Sequence, residues 1–170
     1  PNPFHERLGF LFYHNMLATS MEVLTDSSQY PLMVRHLEKL RNAAYHGDYQ
    51  WVLKEITRDP VMLIWLNGNQ NTKQQPNENF GRELMELFTL SPTDANGNIN
   101  YSETTVAEVA RACTGWTVQN LNVGNGQREW SAVFGQAIHD TNPKVIFEGT
   151  AYQGVVQTDF DVIDHIFRSH

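Results

Sequence analysis

Three charged side chains that could do chemistry lie close together in Pro76–Leu90, PNENFGRELMELFTL. Arg82, Glu83 and Glu86 recur with Asn79 at helical spacing, so a helix would present them on one face. Two carboxylates on one face can act as general acid and base, or can bind a metal ion. Arg82 beside them favours the simpler interpretation of an ion-pair network on the helix surface. Both interpretations require a helix here.

Histidines supply the other candidates. His14 lies on the apolar stripe of the first predicted helix, where it is either a neutral core histidine bonded to a carbonyl or a metal ligand or general base. His139 and Asp140 follow a β-like segment in a turn-rich stretch, which is either a surface turn or a functional loop. The candidate polar centre is therefore His14, Arg82, Glu83, Glu86, His139 and Asp140.

A divalent transition metal is the cofactor hypothesis, with His14, Glu83, His139 and Asp140 as the candidate ligands. No pair of them has a tight ligand spacing such as HExxH, so the site would be assembled from distant parts of the chain. The run from Asp94 to Asn100 places its glycine and its acidic residue in the wrong register for an EF-hand, which favours a turn. The nucleophile elbow, the phosphate-binding loop and the dinucleotide fingerprint are all missing from the sequence.

The elements that must position these residues are mostly helices. Apolar periodicity and capping signals predict helices at about 4–18, 30–46, 60–66, 78–90, 103–114 and 159–168, with another after Asp48. The predicted N-caps are Asp48, Asp59, Asn77 and Ser102, and Gly47 is the predicted C-terminal stop of the helix at 30–46. Met33, Leu37, Leu40 and Ala44 are predicted to face inward on the helix at 30–46, and Leu87 on the helix at 78–90. His36 and His46 are predicted to be boundary residues beside the apolar stripe of the helix at 30–46. The polar stretch 67–79 is either a functional loop or a linker.

Short β-branched and aromatic runs replace this helical pattern between residues 117 and 149. They predict a small β-hairpin-like excursion. The expected fold class is thus mainly α, a compact multi-helix domain, and residues 1–170 are expected to form a single domain.

Composition excludes several functions. The formal charge of -7 disfavours a nucleic-acid groove, which needs clustered Lys and Arg. No run of eighteen or more apolar residues is present, so a membrane span is not expected. Cys113 is the single cysteine, which excludes an internal disulfide and a cysteine zinc site. Trp116 and Trp130 are candidates for the exposed aromatic residues that a carbohydrate-binding module would need, although packing against the helices is the favoured interpretation of both.

Several blocks of the sequence resemble the domain-of-unknown-function 1800 family in their order along the chain. These are FLFYHNMLATS, LRNAAYHGDYQWVLKEITRDPVMLIWL, NTKQQPNENFGRELMELFTL and VAEVARACTGW, together with the stretch around His139. The resemblance implies a mainly helical, bacterial, exported protein that is periplasmic, at the cell surface or extracellular. It also implies that this chain is a fragment of a longer protein, and that the expected partner belongs to the domain-of-unknown-function 1501 family.

The chain departs from that family at two positions. Many relatives read HNHF where this chain has His14-Asn15-Met16-Leu17, so a second imidazole is missing, and Ser91 stands where glycine is common. The leading functional hypothesis is a structural or interaction role, because no reaction-specific motif occurs. The alternatives are a metal-dependent hydrolase or oxidoreductase acting on an extracellular polymer, and a carbohydrate-binding module. The sequence does not indicate an oligomeric state.

Overall fold

The computed structural model describes residues 3–16 and 23–169, excluding the side chains of Phe10 and of residues 13–16. Within that part of the chain, the structure contains seven α-helices and four β-strands. The helices are α1 (Pro3–Met16), α2 (Tyr30–His46), α3 (Tyr49–Thr57), α4 (Pro60–Trp65), α5 (Glu78–Glu86), α6 (Glu103–Ala112) and α7 (Asp159–Ser169). The strands are β1 (Trp116–Gly124), β2 (Gln127–Phe134), β3 (Lys144–Ile146) and β4 (Gly154–Val156). The mainly α prediction is confirmed.

Side-chain caps begin four of the helices. Asp48, Asp59, Asn77 and Ser102 each accept a hydrogen bond from a backbone N–H in the first turn of the helix that follows. These contacts satisfy amide groups that have no partner within the helix. At the other end of α2, Gly47 has a φ of 68°, the left-handed conformation that ends many helices and suits glycine. The predicted caps are therefore confirmed.

One large apolar core joins α2 to α7. Its buried members come from α2, α3, α4, α5, α6, β3, β4 and α7, and include Leu40, Ile56, Leu84, Val109 and Ile163. A smaller cluster of Leu24, Leu32, Met33 and Val61 lies under the β1–β2 hairpin, with Trp130 packed against it. The two clusters position α2 between the helical core and the hairpin.

Helices α5 and α6 cross at very close range. A Cβ atom added to Gly81 would lie 3.1 Å from the backbone nitrogen of Ala110 and 3.2 Å from Val109 Cγ1. These separations are tighter than ordinary van der Waals contact, so the crossing depends on the missing side chain. It places the polar face of α5 beside α6.

The β structure differs from the single excursion predicted for 117–149. Strands β1 and β2 form an antiparallel hairpin in which Trp116 pairs with Phe134 and Asn120 with Trp130. Strands β3 and β4 form a separate two-stranded antiparallel sheet, pairing Lys144 with Val156. The sequence pattern did not predict β4, which has three residues and begins at Gly154.

Two helices end before their predicted limits. Helix α5 was expected to reach Leu90 but ends at Glu86, so Leu87 is 59% exposed rather than buried. Helix α6 ends at Ala112 instead of Thr114. Ser91 then has a φ of 62°, in the region that favours glycine, which explains why glycine suits this position. The chain turns there towards α6.

Helix α2 also has a different buried face from the one predicted. Leu37 is 40% exposed, whereas His36 is fully buried. Met33, Leu40 and Ala44 face inward as expected. Because His36 shares a helical face with Met33 and Leu40, its imidazole rather than the Leu37 side chain enters the interior.

The polar stretch 67–79 is a folded loop. Asn71 is fully buried, donates its side-chain N–H to Ala110 O at 2.8 Å and accepts from Asn77 N at 2.9 Å. Its backbone carbonyl accepts from Gly115 N at 3.1 Å, and Lys73 N donates to Ile138 O at 2.8 Å. These bonds connect the loop to α6 and to the segment after β2, which favours the loop interpretation over the linker.

Candidate functional site

Arg82 takes part in an ion-pair network on the surface of α5. Its guanidinium lies 2.6 Å from Glu103 Oε2 and 3.2 Å from Glu78 Oε2. Both partner side chains are substantially exposed, and such pairs contribute at most about 1 kcal/mol to stability. Arg82 therefore connects the starts of α5 and α6, and its partners differ from the carboxylates of Glu83 and Glu86.

Glu83 and Glu86 lie half-buried beside Tyr101. Burial raises the pKa of Glu83, the nearby Glu86 raises it further, and Arg82 opposes the shift. Burial also raises the pKa of Tyr101, with Glu86 adding to that effect. The Tyr101 hydroxyl is enclosed and makes no hydrogen bond within the described residues. This is a polar group whose charges are only partly compensated.

His139 is buried against the end of α6, where it bonds to the backbone. Its Nδ1 lies 2.8 Å from the carbonyl oxygen of Thr114, so the proton on Nδ1 is donated to that carbonyl. The hydroxyl of Thr114 accepts from the backbone N–H of Asp140 at 2.8 Å. The surface-turn interpretation of this stretch is wrong for these two residues, because both are buried.

Asp140 forms a charge-assisted contact with α6. Arg111 Nε donates to Asp140 Oδ2 at 2.8 Å, and Asn142 donates twice to Oδ1, at 2.9 and 3.0 Å. The Arg111 hydrogen bond lowers the pKa of Asp140 to about 2, against the opposing effect of burial. Arg111 also bonds both Glu108 oxygens, at 2.7 and 2.8 Å. Asp140 is thus a fixed anion with two bonded partners.

Lys144 is a fully buried lysine next to this group. Its ammonium donates to the carbonyl oxygen of Asp140 and, at 2.8 Å, to that of Gln157. Burial lowers the pKa of Lys144, while Asp140 opposes the shift. The lysine therefore ties the strand β3 to the segments on either side of it.

The proposed polar centre divides into two groups. One contains Arg82, Glu83 and Glu86, the other His139 and Asp140, and no hydrogen bond or ion pair connects them in the described part of the chain. The side chain of His14 lies outside the described residues. No three His, Cys, Asp or Glu side chains among residues 3–16 and 23–169, apart from the side chains not described, are grouped to hold a metal ion.

A third polar group, which the sequence did not predict, is built around His36 and Asp59. His36 Nδ1 lies 2.9 Å from Asp59 Oδ1, and Lys39 Nζ lies 3.0 Å from Asp59 Oδ2. Asp59 Oδ1 also accepts from Val61 N at 2.9 Å. Burial alone would raise the pKa of Asp59, but His36 and Lys39 lower it below its ordinary value. The signal available in the sequence was the helical spacing of His36 with Met33 and Leu40.

A cleft lies beside this group, between α2 and the β1–β2 hairpin. It consists of two adjoining cavities of about 250 and 260 Å³, and Arg35 and Trp130 line both. We call the pair the α2–hairpin cleft. The first cavity is also lined by Lys39, Arg58 and Asp59, and the second by Ser28, Arg128 and Glu129.

The walls of the α2–hairpin cleft are held in place by hydrogen bonds. Trp130 Nε1 donates to Ser28 Oγ at 2.9 Å, and its backbone carbonyl accepts from Arg35 Nη2 at 2.8 Å. Arg35 also pairs with Glu129. These contacts connect the hairpin to α2 and hold Trp130 at the junction of the two cavities.

Arg58 forms the far wall in a fixed position. Its Nε and Nη2 each donate to Asp159 at 2.9 Å. The guanidinium carbon lies 3.3 Å from the ring centre of Phe160 and 4.8 Å from that of Trp116. Stacking on two rings and a two-point bond to a carboxylate leave this side chain little freedom. Trp116 is thereby occupied by Arg58, whereas Trp130 lines the open cleft.

The described residues thus define a mainly helical domain with a cationic, tryptophan-containing cleft on one side. The chain belongs to the family described as "Protein of unknown function (DUF1800)", whose profile matches residues 1–170. No curated protein and no solved structure matches the chain. Of the helices that the structure describes, none has the length and apolar character needed to cross a membrane.

Proposed function

We propose that this chain is a binding domain of an exported protein, with an interaction role, and that it holds a glycan in the α2–hairpin cleft. The observation that carries the proposal is the position of Trp130, which lines both cavities and is bonded to Ser28 and Arg35. Tryptophan rings bring a large apolar area with a polar edge and lose little entropy on binding. The exported location, which the family resemblance implies, is part of this proposal.

The bonding of three of the other candidates, His139, Asp140 and Arg82, supports binding rather than catalysis. His139 and Asp140 are bonded to Thr114 and to Arg111, so both side chains have structural partners. Arg82 is paired with two surface glutamates. A site for acid–base catalysis needs groups free to reach a substrate, and the cleft, unlike these groups, has open space beside its side chains.

The test is binding of the purified chain to insoluble glycans, measured by co-sedimentation for the wild type and for Trp130→Ala. We expect Trp130→Ala to lose binding by about 10-fold or more, because a buried aromatic anchor commonly contributes at least about 2 kcal/mol. Tyr45→Ala is the matched control, since Tyr45 is an exposed aromatic on α2 that lines a separate cavity with Glu38 and Arg41.

Thermal unfolding of each variant must show that the fold persists. If Trp130→Ala does not fold, Trp130→Phe tests the same position with an aromatic ring retained and the bond to Ser28 removed. Equal binding by the wild type and the tryptophan variants would contradict the assignment of the cleft. Failure of the wild type to bind any glycan would contradict the proposed function itself.

A further inference from the structure

We infer that the glycan held in the α2–hairpin cleft is an acidic one, a saccharide that carries carboxylate groups. This inference rests on the proposed function and specifies the ligand class for the same site. Four of the chain's 12 Lys and Arg residues line the cleft, but only two of its 19 Asp and Glu residues do. The cations are Arg35, Lys39, Arg58 and Arg128. Three of them are paired with carboxylates, Arg35 with Glu129, Lys39 with Asp59 and Arg58 with Asp159, whereas Arg128 makes no ion pair within the described residues. The lining of the cleft is thus richer in basic than in acidic side chains, in a chain whose formal charge is -7.

The acidic residue of the first cavity does not repel an anion as a free carboxylate would. Asp59 is 2% exposed and is bonded to Val61 N, with His36 and Lys39 in contact with its two oxygens. Lys39 serves as its counter-ion and is therefore not a free cation for a ligand. The exposed cations of the cavity wall are Arg35 and Arg58, which are 41% and 34% exposed.

Arg58 offers a donor that is already in position. Its Nε and Nη2 are used by Asp159, and its Nη1 makes no hydrogen bond with any described residue. Because Phe160 and Asp159 fix the guanidinium, a ligand carboxylate would bind this donor at little cost in side-chain entropy. Arg35 lines both cavities, donates to Trp130 O and pairs with Glu129, so a ligand carboxylate would bind Arg35 in place of Glu129.

Trp130 accounts for specificity towards a saccharide rather than towards any anion. Trp130 lines both cavities, and its Nε1 bond to Ser28 fixes the indole ring. A sugar ring has an apolar face that can pack on an indole, while its carboxylate would reach an arginine. At about 250 and 260 Å³, each cavity is smaller than the range of about 300–1,000 Å³ typical of small-ligand sites, so a ligand that fills the cleft would span both. A short oligosaccharide has that reach, and a single small anion does not.

The experiment is isothermal titration of the full chain with oligogalacturonate, with a neutral cello-oligosaccharide of equal length, and with inorganic sulfate. We expect oligogalacturonate to bind most tightly and to weaken as salt is added, because the contacts are between exposed charges. Arg35→Gln should weaken binding by about 10-fold, the value of one charge-assisted contact of about 1.4 kcal/mol.

Arg41→Gln is the matched control. Arg41 lies on the same helix as Arg35, is also partly exposed and also pairs with a glutamate, Glu6, but it lies outside the α2–hairpin cleft. We expect this variant to bind like the wild type. Arg35→Lys retains the charge and should bind between the wild type and Arg35→Gln, which separates loss of charge from loss of fold. Melting curves for all three variants complete the comparison.

Different failures contradict different statements. Equal binding of the neutral and acidic oligosaccharides, unaffected by Arg35→Gln, would overturn the acidic-glycan inference and leave the proposed binding domain intact. Sulfate that binds as tightly as oligogalacturonate would also overturn it, since the cleft would then be a simple anion site. Failure to bind any glycan would overturn the inference and the proposed function together.

Discussion

At the scale of single residues, Glu83 is the clearest case of a charge that the fold compensates only in part, through Arg82. Its carboxylate is half-buried, close to Glu86, and accepts no hydrogen bond from the described residues, while burial and the neighbouring charge raise its pKa. The folded state therefore retains a proton more strongly than the unfolded chain does. Its contribution to stability consequently falls as the pH rises through the folded-state pKa.

We predict that Glu83→Gln raises the melting temperature at about pH 7.5 by about 1–2 °C. The substitution removes a repulsion between like charges one helical turn apart, which costs about 0.2–0.5 kcal/mol. At about pH 4, where the unfolded-state glutamate is largely protonated, the difference should disappear. Differential scanning fluorimetry across that pH range measures both effects.

Glu103→Gln is the control and should lower the melting temperature instead. The substitution removes the ion pair with Arg82, whose hydrogen bond is the chief reason that the folded-state pKa of Glu103 is lowered. A variant Glu83→Gln that melts below the wild type at neutral pH would show that the Glu83 charge is compensated after all.

At the scale of elements, the loop 67–79 depends on one buried side chain. Asn71 bonds Ala110 O and Asn77 N through its amide, so it joins the loop to α6 and to the start of α5. We predict that Asn71→Ala lowers the free energy of unfolding by about 2–4 kcal/mol, because two backbone groups lose their partners in a buried region. Urea unfolding gives the value from the transition midpoint.

Gln74→Ala is the control for that measurement, since Gln74 lies exposed in the same loop. We expect it to change stability by less than about 0.5 kcal/mol. Similar losses in both variants would show that the loop contributes through its backbone, and that the Asn71 amide has no special role.

The elements also show what could be predicted from sequence. The caps Asp48, Asp59, Asn77 and Ser102 act on backbone groups two or three residues away, so local spacing was enough to find them. Strand β4 has only three residues, one of them glycine, and is defined by its pairing with β3. A run of three residues carries little sequence signal of the strand with which it pairs, which is why β4 was missed.

The candidate site was less predictable for the same reason. The α2–hairpin cleft combines residues from α2, the end of α3 and β2, and its cations are positioned by distant partners. Arg58 and Asp159 are 101 residues apart in the chain, and Arg35 and Trp130 are 95 apart. Residue type alone identified Trp130 as an aromatic candidate, and only the tertiary contacts place it beside Arg35.

At the scale of the whole molecule, the continuity of the core supports the prediction that residues 1–170 form one domain. The same apolar cluster contains Leu40 of α2 and Ile166 of α7, with members from most elements between them. We predict a single cooperative heat-unfolding transition with an enthalpy of about 120 kcal/mol, the value expected for 170 residues. Differential scanning calorimetry tests this, and agreement of the calorimetric and van't Hoff enthalpies would establish it.

Two resolved transitions would contradict the one-domain prediction. The hairpin β1–β2 is the segment to follow in that case, because it packs on the smaller cluster around Leu32 and Val61 instead of the main core. The chain has four tryptophans, so fluorescence of a variant that retains Trp130 alone, compared with the circular dichroism of the helices, would show whether the hairpin separates first.

The close crossing of α5 and α6 has a mechanical consequence. With no side chain at Gly81 to act as a spacer, the backbones of the two helices meet directly, and neither can slide without colliding with the other. The two helices therefore hold their side chains at fixed relative positions, including Glu83 and Glu86 on α5 and Arg111 on α6. A force applied to the α5 surface would be transmitted through α6 and Arg111 to Asp140, and from there to the chain leading into β3.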